Sequence, residues 1–260
     1  MDKLTREAPE VRVYVGVGSE ELTLHEVSEM LGIRPSAGWS VGDPTRRGEP
    51  RDMTSFDVHS GRSARDAPED HLRALVAPAE RIVDAVVASQ GALGYVTLEV
   101  VESFPPSGGR IELSLEERWV RGLSAVEGLV DVDQYISFEP SNAVSPDTPE
   151  ELMIGQTLRL SLKPASDQVA STIEVTHDPR LTSEAQGVLL RDVLAGIDDV
   201  PNGGYELLIE QRITSGAWTD TGFALDRETM AVLYPLVRAI RIVTEVAKEP
   251  DLSLTPPPTS

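Results

Sequence analysis

Val11, Val13, Val15 and Val17 alternate with Arg12, Tyr14 and Gly16, the period of two that marks a half-buried strand. Thr23-Leu24-His25-Glu26 then reads as a capping box, Val27, Met30 and Leu31 as a short apolar stripe, and Gly32 as its left-handed stop. Residues 34–51, rich in Gly, Pro and Arg, predict a long irregular loop, followed by a strand over 53–59. Pro68 opens a helix in which Leu72, Leu75, Val76, Ala79, Ile82, Val83 and Val86 keep the helical period, and Pro78 is expected to kink or split it. Strands over 95–104 and 110–115 flank Pro105-Pro106-Ser107-Gly108-Gly109, which predicts a turn. A helix over 116–129 and a strand through Val132, Tyr135 and Phe138 complete the first half.

The stretch 140–150 is polar, proline-dense and aperiodic, and reads as a linker. Beyond it the pattern predicts strands at 157–162 and 171–177 and a helix at 182–197. A strand at 205–213, a hairpin past Trp218, a strand to Leu225, a helix at 226–238 and a strand at 240–246 follow. One gapless offset of 110 relates Gly94 to Gly204, Tyr95 to Tyr205, Leu115 to Leu225, Val120 to Met230 and Val130 to Ile240. The reading is therefore an α+β protein of two ferredoxin-like (βαββαβ) subdomains from an internal duplication, the first with an extra N-terminal strand and helix. The expected organisation is an N-terminal α+β domain (1–139), the linker, a C-terminal α+β domain (151–249) and a disordered tail (250–260).

Composition narrows the function classes. The 260 residues carry 23 Lys+Arg against 43 Asp+Glu, a formal charge of −20, which repels nucleic acid and anionic lipid and attracts a basic protein. No apolar run approaches a membrane span and the N-terminus lacks a secretory pattern, so a cytoplasmic protein is expected. With no cysteine there is neither disulfide nor thiolate chemistry. His25, His59, His71 and His177 show no metal-ligand spacing, so neither a metal nor a cofactor is expected.

The short helix ending Met30-Leu31-Gly32-Ile33, Pro35, the run Trp39-Ser40-Val41-Gly42-Asp43 and the strand around Asp133 and Tyr135 make residues 11–138 similar to a bacterial family, domain of unknown function 4279. The residues after the linker lack these pieces, so the second half is at most a divergent copy. The resemblance implies a fold and a bacterial, cytosolic setting but no catalytic assignment. Some members of the family sit among toxin–immunity genes.

There is no P-loop and no kinase set, and a triad assembled in space needs no local motif. Gly16-Val17-Gly18-Ser19 reads as a strand-to-helix turn rather than a phosphate loop, because Glu20 and Glu21 follow it. Asp131 and Asp133 share one strand face, which reads as solvated rather than as a cation site. The small-ligand candidates are Trp39 as a stacking face, Asp43, Arg46 and Arg47, with His59 and Arg62 joining them if the next strand pairs alongside. Trp218 reads either as an interface anchor at a polar hairpin tip or as a residue folded back on the neighbouring subdomain.

Three functions follow as expectations. The first is a non-enzymatic acidic binding protein, of immunity or antitoxin type, that holds a basic protein through Trp218 or Trp39. The second is a small-ligand sensor or enzyme using a cleft lined by the 39–47 loop. The third is mimicry of a nucleic acid by an acidic stripe. Edge strands leave a homo-oligomer open.

Overall fold

The structure is a computed structural model that describes residues 8–105, 107–136, 154–164, 205–215, 219–234 and 236–248. The expected linker, the strand at 171–177, the helix at 182–197, Trp218 and the tail lie outside the described residues. It is a mixed α+β fold. In the first half the elements run β1 (Glu10–Ser19), α1 (Leu24–Leu31), β2 (Ala37–Trp39), β3 (Thr54–His59), α2 (Pro68–Ala88), β4 (Val96–Phe104), β5 (Gly109–Leu115), α3 (Glu117–Ala125) and β6 (Leu129–Ile136). Then come β7 (Ile154–Pro164), β8 (Tyr205–Ser215), β9 (Thr219–Leu225), α4 (Arg227–Leu233) and β10 (Val237–Lys248).

Local chemistry sets the helix ends. Thr23 and Glu26 form the full capping box, and Gly32 stops α1 in the left-handed region at φ 60°. Pro68 stands in the first turn of α2, where its missing N–H costs nothing. Pro78 does not split α2, which runs unbroken for 21 residues because Leu72, Leu75, Ala79 and Ile82 pin it to the core on both sides of the proline. Asp226 caps α4 by accepting from the Thr229 N–H at 2.8 Å. The end of β1 corrects one expectation: Gly16 to Ser19 remain strand, paired with β3 and β4, and are not a turn. Gly16 fits there because a Cβ would stand 2.8 Å from an Asp57 carboxylate oxygen.

Two sheets are built, a six-stranded one in the order β2-β3-β1-β4-β6-β9 and a four-stranded one in the order β5-β10-β8-β7. The order strand–helix–strand–strand–helix–strand is present as β3, α2, β4, β5, α3 and β6, but these strands do not share one sheet. Neither expected hairpin forms. Strand β4 is flanked by β1 and β6, so it has no free edge for β5, which pairs with β10 instead. Strand β8 is flanked by β10 and β7, so β9 pairs with β6.

The two sheets and the helices share one apolar core that includes Val13, Phe56, Leu75, Leu98, Leu113, Trp119, Ile209 and Ile242. Burying each such side chain contributes roughly 1.5–3 kcal/mol. Glu102, Gln134, Gln211 and Thr244, from β4, β6, β8 and β10, are buried to within 1 % where the sheets meet. Gln134 Nε2 donates to Glu102 Oε2 at 3.0 Å, to Thr244 Oγ1 at 2.9 Å and to Gln211 Oε1. An amide offers two hydrogens, so three acceptors compete for them. Glu102 Oε1 and Gln134 Oε1 are left without a partner, and burial pushes the Glu102 carboxyl up to about 7.

Candidate functional site

The period of two along β1, β3, β4 and β6 sends one set of side chains to the core and the other to the outward face of the six-stranded sheet. One rung across that face reads His59, Tyr14, Glu99, Asp131, each the Cα partner of the next. Asp57 lies opposite Gly16 one rung away, and Asp133 lies opposite Val101 on the other side. Chemistry-bearing residues from four strands therefore share one surface.

Glu99 is half-buried, and burial, together with Asp133 and Asp131 nearby, pushes its carboxyl up to about 7. Asp131 is raised from the ordinary carboxylate range by burial and by Asp133. Burial also raises Asp57, against the opposing effects of its Ser55 hydrogen bond and of His59. A face on which carboxylates resist ionisation attracts a cationic group, because a positive charge restores their anionic form. Among the described residues no cluster of three or more His, Asp or Glu is arranged to hold a metal ion.

Toward the β3 end this face deepens into a cavity of about 480 Å³ lined by Arg12, Tyr14, Asp57, His59, Arg62 and His71. The Tyr14 and His59 rings are 5.2 Å apart and tilted by 41°. His71 is buried and held at both nitrogens. Its Nε2 donates to the Ser63 carbonyl at 3.0 Å, and its Nδ1 lies 2.7 Å from Ser60 Oγ, which donates to it. Both bonds suit the neutral ring, and burial holds its pKa below the usual histidine range. His71 thus fixes the 60–63 turn that carries Arg62.

The predicted ligand residues divide into two groups. His59 and Arg62 converge on the cavity. Trp39, Asp43, Arg46 and Arg47 do not line it, because β2 and β3 pair antiparallel with Trp39 opposite Ser55. That register leaves His59 four residues, about 13 Å, farther along β3. The 40–53 loop is a short ladder, not an irregular excursion: Gly42 N–H donates to the Arg51 carbonyl at 2.8 Å and Thr45 N–H to Glu49 at 2.7 Å. Asp43 is used inside the loop, accepting from the Ser40 N–H at 2.7 Å. The Arg51 guanidinium lies 4.0 Å from the Trp39 ring centre, on the stacking face assigned to a ligand. Arg46 and Arg47 are exposed at the tip. The partner candidate at the hairpin tip, Trp218, lies outside the described residues.

Arg12, Tyr14, Asp57, Glu99 and His71 were missed as site residues. The strand alternation did signal the first four, since each falls on the polar face of its strand. His71 gave no such signal, because it stands in an ordinary helical position whose partners come from the preceding turn.

No helix among the described residues is long and apolar enough to cross a membrane. No curated protein and no solved structure matches the chain. Residues 9–137 match the model of a family described as Domain of unknown function (DUF4279), a span that runs from the start of β1 to the end of β6. The N-terminal half, which carries the outward face of His59, Tyr14, Glu99 and Asp131, is a member of the DUF4279 family.

Proposed function

We propose that this chain is a non-enzymatic acidic binding protein that holds a basic protein segment against the outward face of its six-stranded sheet. The observation that carries this reading is the crowding of Glu99, its strand partner Asp131 and Asp133 on one half-buried outward face, which pushes the Glu99 carboxyl up to about 7. An arginine or lysine of a partner docked there gains from carboxylates that it also returns to their charged form. The overall charge of −20 steers such a partner inward. An immunity or antitoxin role in the cytoplasm is the biological form of this reading, drawn from the family resemblance alone.

Native mass spectrometry of the protein from its own host, at low and then high salt, tests it. A stoichiometric basic companion that dissociates as salt rises, and that binds more weakly to Glu99→Gln and Asp131→Asn, is the expected result. A partner-free mass at low salt, or binding indifferent to both substitutions, overturns the proposal.

A second reading is favoured by the cavity beside this face. Arg12, Arg62 and His59 around the Tyr14 ring suit a small anionic ligand with an aromatic or apolar body. Calorimetric titration with benzoate and phenyl phosphate tests it, with Arg12→Gln and Arg62→Gln expected to abolish binding. No heat with either compound sinks it.

We also infer that the chain is an internal duplication of α+β units, in each of which the strand before the last helix pairs with the other unit. The support is register. Val130 opposite Leu225 and Ile136 opposite Thr219 bound the pairing of β6 with β9. Adding 110 to the first residue of each pair and subtracting it from the second gives Ile240 opposite Leu115 and Val246 opposite Gly109, the bounds of the pairing of β10 with β5.

A further inference from the structure

A second cavity, of about 470 Å³, opens between α2 and α3, away from the acidic face. Its floor is Val15 of β1 and Val96 of β4, both buried. Val76 and Val83 of α2 form one wall, and Trp119 and Leu123 of α3 the other. Such a volume falls in the range of small-molecule sites, which are mostly apolar with a few placed polar groups.

The mouth is charged, and its charges are sorted by wall. Glu80 and Asp84 stand on α2, Arg118 and Arg121 on α3, and all four are exposed. Arg118 is engaged by Glu116 on its own helix end at 2.7 Å. Among the described residues no ion pair crosses the mouth. The walls therefore offer opposite charges across a gap that their own side chains do not close.

Gly122 is the second observation. It lies inside α3, where a glycine weakens the helix. Neither backbone nor packing requires it: its φ is not positive, and a Cβ would meet only Val83 Cγ2, at an ordinary 3.8 Å. What the missing side chain does is leave the space between the helices open.

We propose that this cavity binds a small apolar zwitterion, an amino acid or dipeptide with an apolar side chain. Its carboxylate faces Arg121 and Arg118, its ammonium faces Glu80 and Asp84, and its side chain rests on Val15 and Val96. A simple carboxylate would be repelled by the α2 wall and a simple amine by the α3 wall, so the sorted mouth selects a molecule carrying both charges. This does not depend on the acidic sheet face or its partner.

The test is calorimetric titration of the full chain with leucine and leucyl-leucine, against 4-methylpentanoate, which lacks the ammonium, and 3-methylbutylamine, which lacks the carboxylate. Saturable binding of a zwitterion is expected, with each amputated analogue weaker by about tenfold or more. Gly122→Leu should abolish binding while keeping the thermal midpoint. Should that variant fail to fold, Arg121→Gln and Asp84→Asn, both at exposed positions, carry the test and should each weaken binding about tenfold. No binding of either zwitterion at about 10 mM overturns the proposal. So do analogues that bind as tightly, or affinity unchanged in both charge variants.

Discussion

Gln134 of β6 donates to Thr244 of β10 at 2.9 Å, and the two residues stand 110 positions apart, the separation that relates the β6–β9 and β10–β5 pairings. Gln134 faces Thr221 across its ladder, and Thr244 faces Ile111 across the other. The contact therefore joins β6 of one sheet to β10 of the other where the sheets meet. Glu102 completes the group as a buried carboxyl with one unpartnered oxygen.

Glu102 should make the protein more stable in mild acid than at neutral pH. Its folded pKa, about 7, lies above the ordinary 4.5, so between those values the folded state holds a proton that the unfolded chain releases. The resulting stabilisation is full below pH 4.5 and fades as pH rises through 7. Urea denaturation at pH 5, 6, 7 and 8 should show this decline, and Glu102→Gln should flatten it by about 2–3 kcal/mol. An unchanged slope in the variant would place the proton elsewhere.

His71 acts with the opposite sign. Its pKa is held below the usual 6.5, so stability is full above that value and is lost as pH falls below it, where the unfolded chain takes up the proton first. Ser60→Ala should cost about 1 kcal/mol at pH 8 by removing the hydroxyl that donates to Nδ1. A variant as stable as the wild type at pH 8 would contradict the hydrogen-bond assignment.

Thr54 ties three segments together. Fully buried at the start of β3, its hydroxyl donates to the Leu22 carbonyl and accepts from the Val41 N–H at 2.8 Å. Thr54→Val keeps the shape but strands both groups, and should cost about 1–3 kcal/mol. It should also loosen the Trp39 loop, read as faster amide exchange at Val41. Exchange at Val41 as slow as in the wild type would show that the loop is held by other contacts.

The pairing of β6 with β9 can be trapped, because the chain has no cysteine of its own. Asp131 and Ala224 are Cα partners across β6 and β9. Asp131→Cys with Ala224→Cys should oxidise to an intramolecular bond, seen by intact mass as loss of both thiols with the monomer retained. Free thiols after oxidation, or crosslinked dimers, would rule out that register.

Much of the local structure was legible from the chain. Thr23 and Glu26, Gly32, Pro68 and the valine alternation of β1 act within a few residues of themselves, so sequence alone locates them. The hairpins were not legible. Pro105-Pro106-Ser107-Gly108-Gly109 has turn chemistry, but pairing depends on whether β4 has an edge to offer, and β1 and β6 occupy both of its edges. The site was half legible for a similar reason. His59 and Arg62 are close in sequence to the turn that gathers them, whereas the separation of His59 from Arg46 and Arg47 follows from the register of Trp39 against Ser55. Glu102 sat in plain view on the apolar parity of β4, but its partners Gln134, Gln211 and Thr244 arrive from three other strands.

The crossed strand pairings also govern the order in which the chain can be finished during synthesis. Strand β5 emerges from the ribosome early but finds its neighbour only when β10 has been made, more than 120 residues later. Strand β6 likewise waits for β9. Through that interval the nascent first half displays two unpaired ladder edges, the feature that recruits stray strands from other chains. Slower elongation across the second half would lengthen this exposure, so yield of soluble protein should depend on how quickly residues 205–248 follow the first half into the cell.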